Sequence, residues 1–356
     1  MKYFARTIVG LIALLCLSPC LIADPFTFTL IGRSGLPFVS INNNGVVAYS
    51  TGSNIMVGDG APSTTLMDTG GWFSHFGPTA INDAGVIAFA ASLDGGVSGI
   101  FATNGTDLPT AQGLPDINNS GTVPFAIIAP LTTDIYTYNP NSGGLGPRIE
   151  TTGTAQFNSL ADPAINDAGQ VAFVGTTGTS WTRDVFIGDG TATTRLTSGQ
   201  FGSISYPSVN NSGTVAFSGQ FLGGGTGIFT AGSGGVATVA QEDSSYHGFG
   251  VASINNLGWV AYMGSLYAGG NGIFVWNGTE TTRVIGTSDL LFDSTVINAY
   301  MYPHSLNDSG QIAMLLTTTN GGSWVVRADP APIPEPSTLT LLGIGLVGLL
   351  ALRQRR

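Results

Sequence analysis

The chain has 356 residues, and only 9% of its side chains are charged, against roughly 25% in ordinary soluble domains. Lys2 is the only lysine, which excludes sites that depend on a P-loop, Schiff-base or kinase-type lysine. Cys16 and Cys20 both lie in the N-terminal apolar run, so the body contains no cysteine-based zinc site, redox pair or disulfide framework.

The charge of the body is strongly negative. The segment between residues 24 and 335 contains six arginines and all 21 acidic residues of the chain, so its formal charge is −15. Nucleic-acid binding needs clustered Lys and Arg to neutralise phosphates, so we expect no nucleic-acid partner. An acidic surface without lysine suits an exported protein that must stay soluble.

Residues 1–23 have the pattern of a secretory signal peptide. Lys2 and Arg6 precede an apolar core from Ile8 to Leu17, and Ala23 is a small residue at a possible cleavage site. We therefore predict a signal helix outside the fold and a body that begins at residue 24. A lipoprotein signal at Cys20 is disfavoured by Pro19, and a retained N-terminal anchor remains an alternative.

The body contains seven copies of one unit. Their first motifs occupy residues 40–49, 80–89, 116–125, 164–173, 208–217, 253–262 and 305–314, with a mean spacing near 44 residues. Each motif has an Asn, and a Gly follows three residues later. These pairs are Asn42 and Gly45, Asn82 and Gly85, Asn118 and Gly121, Asn166 and Gly169, Asn210 and Gly213, Asn255 and Gly258, and Asn307 and Gly310.

Each first motif predicts a β-hairpin. The Asn side chain can bond the backbone two residues on, and the Gly supplies a positive φ, as in a type I turn closing on a G1 bulge. The strand that follows alternates large and small apolar residues, as in Val171, Ala172 and Phe173, which suits a sheet packed on both faces. A GIF-type run and a Thr-rich run follow in most units, and no helical period appears in the body.

Four short strands in about 44 residues, seven times over, predict a seven-bladed β-propeller across residues 24–329. A β-solenoid and two stacked β-sandwiches are the alternatives. Pro124 and Met314 depart from the pattern and predict irregular third and last units. The last unit lacks a Thr-rich strand before residues 329–332, so we expect residues 26–32 to pair with its third strand and close the ring.

The C-terminus has three parts in a fixed order. Residues 330–338 form a Pro-rich linker that contains Pro334, Glu335 and Pro336. Residues 339–352 are an uncharged apolar run, and three arginines end the chain at 356. The run is short against the roughly 20 residues of a membrane-spanning helix, and the basic end would stay cytoplasmic. It predicts a short hydrophobic helix that is a transient or retained membrane anchor.

This tail resembles the PEP-CTERM sorting signal, with Pro334, Glu335 and Pro336 as its motif. The resemblance implies recognition by an exosortase-type transpeptidase after passage through the secretion machinery. It also implies cleavage near the tail and delivery to the cell surface of a Gram-negative bacterium that makes exopolysaccharide. The body resembles the NxxGxxAF tandem-repeat family. This resemblance implies a repeat architecture and a location outside the cytoplasm, but no enzymatic activity.

The candidate binding residues are weaker signals. His75, His247 and His304 precede repeat asparagines and could meet on one face, but they lack the local spacing of metal ligands. Asp83, Asp167 and Asp308 could form a Ca²⁺-binding ring, but turn chemistry alone explains the same residues and is the favoured explanation. Asp59 and Asp189 fit hairpin turns. Trp72 and Trp181 fit loops that could stack on sugars, whereas three others fit the core: Trp259, Trp276 and Trp324.

These observations favour an exported, non-catalytic protein of the cell surface or extracellular matrix, with a binding or structural role in the exopolysaccharide layer. No cofactor is expected. The alternatives are a secreted carbohydrate-active enzyme and a passive scaffold without a specific ligand. No carboxylate pair of the kind that glycosidases use stands out in the repeats.

Overall fold

The computed structural model describes residues 25–331, apart from 61, 155 and 179–181. The predicted signal peptide with Ala23, the residue Trp181 and the tail with Pro334, Glu335 and Pro336 lie outside the described residues. The predicted all-β class is confirmed: within the described part, the only helix is the three-residue 3-10 helix Pro140–Ser142.

The strands are short and follow one another through tight turns. They are β1 Phe26–Arg33, β2 Val39–Ile41, β3 Val47–Ser50, β4 Asn54–Gly58, β5 Thr64–Asp68, β6 Phe73–Ile81, β7 Ile87–Leu93, β8 Ser98–Ala102, β9 Asp107–Pro109, β10 Val123–Ile128, β11 Thr133–Asn139, β12 Gly144–Thr151, β13 Phe157–Ile165, β14 Val171–Thr177, β15 Arg183–Gly188, β16 Thr193–Arg195, β17 Phe201–Val209, β18 Val215–Phe221, β19 Thr226–Gly232, β20 Gly235–Gln241, β21 Tyr246–Ile254, β22 Val260–Leu266, β23 Asn271–Trp276, β24 Thr281–Gly286, β25 Leu290–Leu291, β26 Ser294–Tyr300, β27 Ile312–Thr318 and β28 Ser323–Pro330.

The chain divides into two compact units. The larger unit spans Phe28–Asp329 and contains all seven repeats. The described residues of the other unit are 25–27 and 330–331, where the Ala331 N–H donates to the Pro25 carbonyl oxygen at 2.8 Å.

The repeats fold as antiparallel meanders of neighbouring strands. Units one, two and six form the four-stranded sheets β2–β5, β6–β9 and β21–β24. Units four and five, β13–β16 and β17–β20, are linked by a single bridged pair between Arg183 and Phe201. In unit three the first strand is reduced to a bridge between Gln112 and Ala126, beside the three-stranded sheet β10–β12.

The last sheet has the order β1, β28, β27, β26, β25, so the N-terminal strand lies next to the final strand of the repeats. Thr29 of β1 donates its hydroxyl to Asp329 Oδ2 of β28 at 2.9 Å. The sequence Asp-Pro-Ala-Pro at residues 329–332 predicts the end of the sheet, but β28 continues through Asp329 to Pro330. A proline lacks only its own N–H donor, so it can occupy the last position of a strand.

The second strand of most units is buried on both faces, as the alternating pattern predicts. In β14, Val171 and Phe173 pack into one cluster with Phe157 and Phe186. Ala172, between them in the chain, belongs to a different cluster on the other side of the sheet. Alternate residues of a strand point to opposite faces, so each unit is held between its two neighbours by apolar burial.

The three tryptophans expected in the core lie at its edge instead. Trp259, Trp276 and Trp324 are all only half-buried. Trp324 is covered by Arg33 of β1, whose guanidinium carbon lies 3.9 Å from the ring centroid. An indole is large, so it is rarely buried completely, and here a cation covers one face.

Candidate functional site

The repeat turn has the geometry of a type I turn followed by a G1 bulge. In unit four the Asn166 N–H donates to the Gln170 carbonyl oxygen at 3.1 Å, and the Gly169 N–H donates to the Asn166 carbonyl oxygen at 3.0 Å. Gly169 has φ +79°, and the equivalent glycines of the other units have φ between +76° and +82°. A residue with a Cβ is strained in this conformation.

The repeat Asn side chain makes two kinds of hydrogen bond. Its Oδ1 accepts from the backbone N–H of the residue four positions later; in unit four, the Gln170 N–H donates to Asn166 Oδ1 at 2.9 Å. Its Nδ2 donates to the carbonyl oxygen of the repeat Asn in the next unit. These inter-unit bonds measure 2.9 to 3.2 Å and run from Asn42 to Asn82, Asn118, Asn166, Asn210, Asn255, Asn307 and back to Asn42.

A second cycle of hydrogen bonds joins the residues that follow each repeat Asn. The backbone N–H of each donates to a side-chain oxygen of the next at 2.8 to 2.9 Å. The cycle runs through Asn43, Asp83, Asn119, Asp167, Asn211, Asn256, Asp308 and back to Asn43. The sequence predicted these turns one by one, but it did not reveal that they bond to each other.

The carboxylates in this second cycle already have amide partners. Asn119 Nδ2 lies 2.9 Å from Asp83 Oδ2 and 3.1 Å from Asp167 Oδ2, so one amide group bridges two acidic residues. Asn256 Nδ2 donates to Asp308 Oδ2 at 2.9 Å. No group of three or more His, Cys, Asp or Glu side chains within the described residues has the geometry of a metal site.

A cavity of about 130 Å³ opens beside the two cycles and is lined by residues of all seven units. Asp116 of unit three and His304 of unit seven meet here, with His304 Nδ1 at 3.5 Å from Asp116 Oδ1. The Asn cycle does not make these units neighbours, so the pair spans the space that the cycle encloses. The pair joins two units that lie three steps apart along the cycle of Asn hydrogen bonds.

Asp116 is buried, and each of its carboxylate oxygens accepts one backbone N–H. Its Oδ1 accepts the Ile117 N–H at 2.7 Å, and its Oδ2 accepts the Ile165 N–H of the next unit at 2.6 Å. Ser208 and Ser253 occupy the same repeat position and accept the equivalent N–H more weakly, at 3.2 and 3.3 Å. Asp116 lies two residues before the repeat Asn, and it is the one acidic residue at that position among the seven repeats. Comparing the repeats with each other is the sequence signal that could have identified it.

The three histidines do not form one site. His304 lines the cavity of the turn cycles, with φ +69°. His75 lines a separate cavity between β7, β8 and the following connection. His247 packs against Tyr267 with a ring separation of 5.4 Å.

The expected loop tryptophan Trp72 is 81% exposed, beside a shallow cavity at β5. Asp59 and Asp189 sit in hairpin turns, each followed by a glycine at positive φ.

A scan of protein families matches the end of the chain. Residues 332–356 are a PEP-CTERM protein-sorting motif. The match includes Pro334, Glu335 and Pro336, so the predicted sorting signal is confirmed, and it indicates export and association with the cell surface. No curated protein matches the sequence. Within the described residues, no helix has the length and hydropathy to cross a bilayer. The predicted helix at 339–352 lies outside that part.

Solved structures show that the body has a β-propeller fold. The β-propeller domain of the Trilobed protease from Pyrococcus furiosus, described as having an open velcro topology, matches with TM-score 0.58 and 10% identity over 86% of this chain and all of that domain. The oligogalacturonate lyase of Vibrio parahaemolyticus matches with TM-score 0.54 and 14% identity over 84% and 91% of the two chains. Prolyl oligopeptidase B of Galerina marginata matches over 85% of this chain and half of its own, with TM-score 0.57 and 9% identity.

Proposed function

We propose that this protein is a non-catalytic component of the cell surface or extracellular matrix, where its body binds or supports an exopolysaccharide or another envelope component. The observation that carries the proposal is the PEP-CTERM sorting motif at 332–356, attached to a repeat body. By resemblance, its partners in transit are the secretion machinery and an exosortase-type transpeptidase in a Gram-negative cell.

We infer further that the seven units are the blades of one closed ring. The closed cycle of Asn hydrogen bonds supports this, since it passes through seven repeats and returns from Asn307 to Asn42 at 2.9 Å. The position of β1 beside β28 supports closure by the N-terminal strand. A closed ring of blades leaves only short sheet edges, which suits a protein that must stay folded outside the cell.

The proposal that the protein is non-catalytic rests on the hydrogen bonds that its acidic residues make. The acidic residues of the turn cycles, Asp83, Asp167 and Asp308, hold neighbouring units together through amide and backbone donors. A glycosidase needs one carboxyl group to exchange a proton and another to attack or activate water. Carboxylates committed to structural hydrogen bonds are poorly suited to either task.

Two experiments test the proposed function. In the native host, surface fractions should contain the protein, and deletion of residues 334–336 should leave it in the membrane fraction with an intact C-terminus by mass spectrometry. Surface delivery without these residues would contradict the sorting role. Release of reducing ends or unsaturated sugars from polysaccharides by the purified protein would favour the carbohydrate-active enzyme instead.

A further inference from the structure

Unit three lacks most of the strand that begins its neighbours. Units two, four, five and six start with the nine-residue strands β6, β13, β17 and β21. In unit three, the described chain has only the bridge between Gln112 and Ala126 at this place. The sequence accounts for the loss, because Asn82 and Asn118 are 36 residues apart, against a mean repeat spacing near 44.

The loss leaves one edge of β10 open. β10 pairs with β11 on its other side, and Gln112 and Ala126 exchange two backbone hydrogen bonds of 2.7 and 3.0 Å. Alternate residues of an antiparallel strand direct their backbone groups to the same side, so the N–H and C=O of Ile128 point to the side where Gln112 lies. Among the described strands, none lies beside Ile128 on that side, and its side chain is 63% exposed. This edge is therefore free to pair with another strand.

A cavity adjoins the open edge. It measures about 260 Å³ and lies between units two and three, against β7, β8 and the segment 111–113. Ala90 and Ile100, which pair across β7 and β8, line it from unit two. Gln112 belongs both to the cavity wall and to the bridge with Ala126, so the cavity and the edge are continuous.

The other units show what kind of segment fills this place. Val174 of unit four is the repeat equivalent of Ala90, and it is buried in one cluster with Phe201 and Ile204 from the first strand of unit five. Ala90 is only half-buried, because the described part of unit three lacks the strand that would cover it. An extended strand with apolar side chains directed toward the preceding unit is therefore the segment that fits.

One difference restricts the side chain that fits. In units four, five and six, the aromatic residue that begins the first strand packs over a glycine, as Phe201 does over Gly219. A Cβ on Gly219 would lie 3.0 Å from the Phe201 ring. Unit three has Ile127 at the position of this glycine, so the Ile127 side chain takes space that the ring would need. We therefore expect an aliphatic residue, rather than an aromatic one, at that point of the occupant.

We propose that the open edge of β10, with its cavity, is a docking site for an extended segment of another protein, which pairs with β10 as an added strand and places an aliphatic side chain over Ala90. Strand addition of this kind gains affinity from main-chain hydrogen bonds and specificity from side-chain pockets. The described strands of this chain already have places in its sheets, and residues 332–356 are a sorting motif, so we assign the occupant to a different protein. The proposal goes beyond the proposed function and does not depend on polysaccharide binding.

Titration calorimetry of the full-length protein with a synthetic peptide tests the docking site. The probe has blocked termini and the sequence of residues 201–209 with F201V, because this first strand of unit five is uncharged and the change makes its aromatic residue aliphatic. It should bind with a dissociation constant below about 100 µM. The matched control peptide also carries I204P, which removes a backbone N–H and the aliphatic side chain, and it should bind at least about tenfold more weakly.

Hydrogen exchange locates the bound peptide. Saturating peptide should slow exchange of the Ile128 amide at least about tenfold. Exchange in β20 should not change, although this strand is also an exposed, uncharged edge, because it has a complete unit beside it. In the protein, I128P removes the pairing N–H and should weaken peptide binding about tenfold or more, whereas I128V keeps the N–H and should bind as the wild-type protein does. Thermal melts should show that both variants fold.

The proposal is overturned if the peptide does not bind at millimolar concentration, if the I204P peptide binds equally well, or if I128P binds as I128V does. Protection of β20 instead of Ile128 would also overturn it. Slow exchange of Ile128 without any peptide would assign the edge to this chain's own tail or to a second copy, and it would overturn the assignment to another protein. None of these results affects the surface-delivery experiment, so failure of this site and failure of the proposed function can be told apart.

Discussion

Arg327 Nε donates to Asp329 Oδ1 at 2.7 Å, and the same guanidinium reaches from the last repeat to the first. Its Nη1 donates to the carbonyl oxygens of Gly45 at 2.7 Å and Asp59 at 3.1 Å. Asp329 also accepts from Thr29 of β1 and from Gln311. This closing contact therefore ties the N-terminal strand, the last repeat and two turns of the first repeat together.

Replacement of Arg327 by Met should destabilise the fold by about 2 kcal/mol, because charge-assisted hydrogen bonds in a mostly buried place are lost while the apolar stem is kept. Chemical denaturation measures the change. R283M is the control, since the Arg283 pair with Asp289 lies within one region and is more exposed, and its loss should cost less than about 1 kcal/mol. Equal losses in both variants would show that the closing contact has no special role.

Replacement of Gly169 by Ala should cost about 1–2 kcal/mol because a Cβ at φ +79° is strained. A Cβ at this position meets no other atom within 4 Å, so strain is isolated from steric clash. G248A is the matched control, because Gly248 lies in β21 without positive φ and also has open space around it. The prediction fails if the two variants melt at the same temperature.

Replacement of a repeat Asn should lower the free energy of unfolding more than replacement of an Asn that only caps a turn. Asn210 is buried, and it donates to Asn255 of the next unit at 3.2 Å while accepting from the Thr214 N–H at 3.0 Å. N210A should cost about 2–3 kcal/mol, since a buried donor bond and an acceptor are both lost. Asn277 accepts two backbone N–H groups in its own turn and, among the residues that the structure describes, bonds to no other unit, so N277A should cost about 1 kcal/mol. Comparable losses from the two changes would argue against the inter-unit cycle.

The raised pKa of Asp162 predicts a pH-dependent gain in stability for D162N. Burial makes the folded state hold the proton more tightly than the unfolded state, whose reference value is 3.8. Stability of the wild-type protein therefore falls as pH rises from below 3.8 through the raised pKa, and D162N escapes this loss. Melting temperatures between pH 3 and pH 8 should show D162N above wild type at pH 7, with the gap closing near pH 3. A lower melting temperature for D162N at pH 7 would contradict the sign.

The local features of this protein follow from short stretches of sequence. The Asn and Gly of each turn act on their own backbone within four residues, so a single repeat such as Asn166–Gly169 is enough to predict the hairpin. The alternation in Val171–Phe173 predicts strands buried on both faces. The PEP-CTERM motif is itself a linear signal, which is why residues 332–356 could be recognised without any structure.

The side-chain contacts between repeats depend on tertiary structure, because the repeat pattern predicts which strands are neighbours, as with β1 and β28, but not which side chains of distant units meet. Arg327 and Gly45 are 282 residues apart, yet they bond once the first and last repeats are brought together. The meeting of Asp116 with His304 likewise needs repeats that are not neighbours in the Asn cycle. Side-chain direction at bulges such as Ala161–Ala164 decides which groups converge, and a repeat pattern alone does not reveal the positive φ of Asp162.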